Sequence, residues 1–105
     1  MNLKDYNLPG LKKGIYRRQK KINNIKIVLL SLDRQISVPK DGRKNLLAIN
    51  ADDEILWIAE LPTEVYDSYI DMKYVDGIIR AESSNSFVSE IDPKTGLIIK
   101  KYMVK

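Results

Sequence analysis

The sequence predicts an all-β protein, an antiparallel meander of about eight strands with at most one short helix. Three observations carry that expectation. From residue 69 onward, apolar and polar residues alternate with the two-residue period of half-buried strands. Turn formers separate these runs at short intervals: Asp76-Gly77, Ser83-Ser84-Asn85-Ser86 and Pro93-Lys94-Thr95-Gly96. The one helix-like opening, Pro62-Thr63-Glu64, leads into a segment, Val65 to Tyr69, too short to build a helix, so a loop or single turn fits equally well.

Taken in order, residues 1–24 read as a basic arm or an edge strand, with Gly14 to Lys21 as the strand-like part. Lysine on an edge strand discourages edge-to-edge pairing, which accounts for some of the charge there. Ile25-Lys26-Ile27-Val28-Leu29-Leu30-Ser31-Leu32 is apolar and β-branched, as a central strand is. Gln35 to Val38 alternates and ends in the turn formers Pro39-Lys40-Asp41-Gly42. Asn45 to Asn50 and Ile55 to Leu61 flank Ala51-Asp52-Asp53-Glu54, which reads as a hairpin. Four further strands follow: Tyr69 to Val75, Ile78 to Glu82, Phe87 to Asp92 and Leu97 to Val104. In the first of these, Ile70, Met72 and Tyr74 are expected to face the core, with Tyr69, Asp71, Lys73 and Val75 facing outward. Trp57, the only tryptophan, lies on an apolar strand, where core packing with its N–H on a backbone acceptor is expected.

A chain of 105 residues makes one domain with one core, here taken as 1–105. It contains no cysteine and no histidine. That removes disulfides, thiolate metal sites, the commonest zinc ligand and general base, and every Ser-His-Asp or Cys-His arrangement. The expectation is a protein that is not an enzyme and uses no cofactor. Asp52, Asp53 and Glu54 adjoin one another, but a calcium loop needs six to eight patterned oxygens, so no metal is expected. The opening lacks the apolar core of about 7–15 residues that a signal peptide needs. The longest apolar run, Ile27 to Leu30, falls far short of the ~20 residues of a membrane helix. A cytoplasmic chain that does not enter membranes is the expectation.

The net charge of +4 conceals strong segregation. Residues 1–44 hold 12 basic and 3 acidic side chains, residues 45–92 hold 2 and 11, and residues 93–105 hold 4 and none. Such asymmetry arises either from charge pairing within the fold or from faces presented to partners.

Two segments are alike. Leu47 to Trp57 and Val88 to Ile99 each end a strand in Asn50 or Asp92, pass through a short polar turn and leave in an apolar strand. The run Ile91-Asp92-Pro93-Lys94-Thr95-Gly96-Leu97-Ile98 resembles the blade turn of quinoprotein-type β-propellers, and Asn50 to Trp57 looks like the same turn one residue shorter. The resemblance covers about residues 45–105 and implies two blade-like units, in a propeller-fragment-like arrangement or a two-layer sandwich. Two blades cannot close a ring, which takes 4–8. A monomer or small oligomer follows, and the resemblance carries over no quinone cofactor.

Two interaction surfaces are read from the residues. Glu64, Tyr66, Asp67, Tyr69, Asp71 and Asp76 combine tyrosines with carboxylates, as suits a basic protein partner. In size and surface the chain looks like small bacterial immunity proteins, which implies binding and blocking a cognate toxin, such as a basic nuclease, through an acidic surface. That expectation requires the carboxylates of 45–92 to be contiguous in space. The alternative is a small nucleic-acid-binding protein using residues 12–44, with Lys12, Lys13, Tyr16, Arg17, Arg18, Lys20 and Lys21 following a phosphate backbone.

Overall fold

The apolar run 27–30 forms the middle of a central strand, and the rest of the fold is built around it. A computed structural model describes residues 1–104. A three-residue 3-10 turn, Leu3–Asp5, precedes eight strands. These are β1 (Leu11–Ile22), β2 (Ile25–Leu32), β3 (Leu46–Ile49), β4 (Ile55–Ile58), β5 (Tyr69–Val75), β6 (Ile78–Ser83), β7 (Phe87–Ile91) and β8 (Ile98–Met103). They form two four-stranded antiparallel sheets, β1-β2-β3-β4 and β5-β6-β7-β8, each in chain order. The expected all-β architecture of eight strands is present. No helix among the described residues is long and apolar enough to cross a membrane.

The two sheets stack face to face. Ile27, Leu29, Leu46 and Ala48 of the first sheet meet Tyr69, Met72, Ile79, Ala81 and Ile91 of the second, all buried. Register explains the set: Ile27 pairs with Ala48 and Leu29 with Leu46, while Met72 pairs with Ala81 and Ile79 with Ile91. Each fully buried Leu or Ile contributes about 2 kcal/mol. Among the described residues the three ion pairs, Arg18–Asp71, Lys44–Glu60 and Arg80–Glu90, are all partly exposed and contribute at most ~1 kcal/mol each. Apolar burial therefore decides the fold. A second cluster, Val28, Leu30, Leu47 and Ile49, lies on the other face of the first sheet, beneath Leu3, Tyr6, Leu8 and Leu11.

Asn45 fastens the layers together. Its side-chain amide donates to the carbonyls of Leu30 and Tyr69 at 3.3 and 2.8 Å, and its oxygen accepts from the Tyr69 N–H at 2.8 Å. A buried amide is tolerated because it is bonded on both sides. Trp57 behaves as expected: its indole N–H donates to the Pro93 carbonyl at 2.9 Å. Its ring occupies the space over Gly96, where a Cβ would come within 2.5 Å of it. The Asp76-Gly77 turn has positive φ at both residues, 53° and 79°, as the favoured two-residue hairpin turn requires.

The repeat survives as geometry. Asn50 Oδ1 accepts from the N–H groups of Asp52 and Glu54, and Asp92 Oδ1 accepts from that of Lys94. Each turn joins the third and fourth strands of its sheet. Each outgoing strand begins with a register shift, between Ala48 and Ile49 in one pair and Glu90 and Ile91 in the other.

Two expectations are corrected. Gln35 to Val38 is not a strand but part of the irregular β2–β3 connection, and the eighth strand is β1 instead. The segment after Pro62 is a loop, one of the two readings expected for it. In β5 the alternation breaks at a bulge between Tyr69 and Asp71, so Tyr69 and Met72 both face inward and Ile70 does not; Tyr74 keeps the period of Met72 but is exposed near the strand's end.

Candidate functional site

The eleven carboxylates of residues 45–92 do not form one surface. Asp52, Asp53 and Glu54 lie at the β3–β4 turn. Glu60 and Glu64 lie beyond the far end of β4, beside Asp41 and Lys44. Asp71, Glu82 and Glu90 are on the second sheet, where Asp71 meets Arg18 at 3.0 Å and Glu90 meets Arg80 at 3.7 Å. Asp76 is in the β5–β6 turn, a seven-residue strand away from Tyr66 and so about 20 Å from it. The charge blocks along the chain serve partly to pair the sheets with each other. Among the described residues no group of three or more carboxylates gathers into a metal-binding set.

Asp67 and Tyr69, expected at the surface, are interior. Asp67 is fully buried, and its carboxylate accepts four hydrogen bonds. They come from the Thr63 hydroxyl at 2.6 Å, the Ser68 N–H at 2.9 Å, and the Ser84 hydroxyl and Asn85 N–H, both at 3.1 Å. The Tyr69 hydroxyl donates to the Glu60 carbonyl at 2.6 Å and shares a bond with Ser89 Oγ at 3.0 Å. Burial pushes its pKa up to about 12.

Asp67 and its donors hold a loop in place. Asn85 Nδ2 donates to the Thr63 hydroxyl and to the Val65 carbonyl, and the Tyr66 N–H donates to the Lys40 carbonyl at 2.8 Å. At the tip, Tyr66 has φ of 53° while its side chain remains 57% exposed. Val65 beside it is also exposed, as is Glu64. A bulky residue in the left-handed region costs about 1–2 kcal/mol and persists only where its surroundings enforce it.

The basic strand β1 is an edge strand, not a free arm, and three of its six expected phosphate-tracking cations are engaged within the fold. Arg18 pairs with Asp71, and Lys20 Nζ lies 5.8 Å from the centre of the Tyr74 ring. Lys13 donates to the carbonyls of Lys4 and Tyr6. Tyr16 packs on the outer cluster of the first sheet with Lys26 over its ring. Lys12, Arg17 and Lys21 are exposed, but Arg17 sits in a register shift of β1. The seven residues therefore do not form one phosphate-tracking face.

A feature that sequence reasoning missed lies between the β2–β3 connection and the second sheet. Arg34, Val38, Arg43, Ser68, Ile70 and Ser84 line a cleft of about 360 Å³. A recess of about 60 Å³ shares Arg34, Arg43, Ser68 and Ile70 with it and adds Arg17. Arg43 is 4% exposed. Its Nη1 donates to the Pro9 carbonyl at 3.0 Å and more weakly to that of Asp33 at 3.5 Å, while its buried Nε has no partner. Burial lowers its pKa, opposed by the nearby charge of Asp33. The signal in the sequence was slight: an arginine between a glycine and the start of an apolar strand.

A family model described as a domain of unknown function (DUF7957) matches residues 12–103. The chain belongs to this family. The matched span runs from β1 through β8, so it takes in both sheets and the arginine-lined cleft. The DUF7957 match carries no activity with it, and no curated protein and no solved structure matches the chain.

Proposed function

We propose that this DUF7957 protein is a non-catalytic protein-binding module whose contact surface centres on the Glu64-Val65-Tyr66 tip. The immunity-protein form of the expectation, which blocks a toxin through one acidic surface, is not carried forward, because the carboxylates it requires are dispersed. The observation that carries the reading is Tyr66, held at positive φ yet more than half exposed. Its backbone strain serves no packing of its own ring. Exposed tyrosines on rigid loops are typical interface anchors, because they bring large contact area at little ordering cost. Glu64 adds a charge that would steer a basic partner toward the tip. The acidic surface expected from sequence is narrowed to this tip, since the other carboxylates are dispersed.

Tyr66→Gly tests the reading in two measurements. Glycine adopts positive φ freely, so the variant is expected to be about 1 kcal/mol more stable in chemical denaturation. Affinity capture from native cells, with mass spectrometry, is expected to lose its partner with this variant and to weaken with Glu64→Lys. A partner that binds both variants as well as the wild type sinks the proposal. Loss of capture from a variant that is also destabilised would point to a structural role for the tyrosine instead.

A further inference from the structure

Arg43 presents a physical problem that the fold leaves open. A guanidinium remains charged at any physiological pH, and burying one without a carboxylate partner costs several kcal/mol. Among the described residues no acid lies within ion-pair distance of Arg43. Carbonyls of Pro9 and Asp33 hold Nη1 and so fix the plane of the group. Its other edge includes the unpartnered Nε. Arg43 also lines the cleft, so an anion held there would supply the countercharge that the fold omits.

The surroundings match such a ligand. Arg34 brings a second arginine to the cleft, and Arg17 lines the small recess beside it. Asp33 near Arg43 and the Asp67 carboxylate behind Ser84 offset part of that charge and leave a positive surplus. Asp67 is also saturated with donors, which reduces its repulsion of an incoming anion. On the other wall, Val38 and Ile70 are apolar. The volume, about 360 Å³, lies within the range of small-molecule sites and exceeds what a bare inorganic ion would fill.

We propose that the cleft between the β2–β3 connection and the second sheet is a binding site for a small organic oxyanion, its carboxylate or phosphate group held by Arg43 and Arg34, and its apolar part against Val38 and Ile70. The site is independent of the Glu64-Val65-Tyr66 tip and stands or falls separately from it.

Amide NMR titration at low ionic strength tests it, with phenyl phosphate, benzoate, inorganic phosphate and chloride as probes. Saturable shifts are expected at Arg43, Ser68, Ile70 and Ser84 with phenyl phosphate or benzoate, and the one that binds more tightly identifies the head group. Arg34→Gln, at an exposed position, is expected to weaken binding about tenfold without altering the fold. Arg43→Lys keeps the charge but loses the planar guanidinium that the Pro9 and Asp33 carbonyls hold in place, and is expected to weaken it at least as much. The proposal is overturned if neither aromatic probe gives saturable shifts at these amides. It is equally overturned if Arg34→Gln and Arg43→Lys bind as the wild type does, or if chloride and inorganic phosphate bind as tightly as the aromatic probes.

Discussion

The two sheets share strand number, strand order and antiparallel pairing, yet they occupy different places in the molecule. In the first, residues 27–30 of β2 and all four residues of β3 are buried, so both of its faces carry apolar side chains. One face meets the second sheet and the other lies beneath the segment from Leu3 to Leu11. In the second sheet β6 alternates strictly, and Arg80, Glu82, Glu90 and Tyr102 occupy its outer face. The first sheet is thus the middle layer of three and the second is an outer layer. Continuous apolar runs against alternating ones are the sequence signature of that difference. A residue's tolerance to change should follow the layer it belongs to and not the strand type.

The largest effect is expected at the buried carboxylate that ties the β4–β5 loop to the β6–β7 turn. Asp67→Ala removes a carboxylate that accepts four hydrogen bonds and leaves buried donors without partners. A loss of about 4 kcal/mol is expected in urea unfolding. Next comes Leu47→Ala, on the outer face of the middle layer. If that face is true core, the substitution costs about 3 kcal/mol; a loss of a few tenths would mean that the covering segment does little.

Alkaline unfolding probes the interface from the second sheet. The Tyr69 phenol titrates at about 12 in the folded state against an ordinary 10.0, because burial disfavours its anion. The neutral form is therefore favoured by folding. The resulting stability is complete below pH 10, declines as pH rises through about 12, and amounts to roughly 2–3 kcal/mol. Tyr69→Phe should flatten this decline while costing about 1–2 kcal/mol at neutral pH from its lost hydrogen bonds. The smallest effect is expected for Arg80→Ala on the outer layer, where the ion pair to Glu90 is half exposed. A change within about 0.5 kcal/mol supports the contrast, and a much larger one would count against it.

How far the fold could be read depended on how local its causes are. Ile25 to Leu32 and Tyr69 to Val75 were bounded correctly because strand period and turn chemistry are local signals. The equivalence of the Asn50 and Asp92 turns was visible for the same reason. Asp67 looked like surface because its donors come from Thr63, Ser84 and Asn85, and the latter two are brought in by strand pairing that no local period encodes. Tyr69 was assigned to the wrong face because one extra residue in a bulge inverts the alternation before it. In β1, register shifts between Leu11 and Tyr16 and between Tyr16 and Arg18 obscured the strand itself. Arg43 carried no motif at all, since its burial results from Pro9 and Asp33 closing over it.

The chain-order pairing of both sheets also shapes how the molecule folds. Each strand finds its partner next along the sequence, so each sheet can grow hairpin by hairpin at small loop-closure cost. The stacking of one sheet on the other, and the folding of the Leu3 to Leu11 segment over the outer face of the first, require distant residues to meet. Until that docking step the inner faces bearing Ile27, Leu29, Ile79 and Ile91 stand open to water, and to the same faces of neighbouring molecules. The cations along β1, on the edge most available for intermolecular pairing, supply mutual repulsion during that interval.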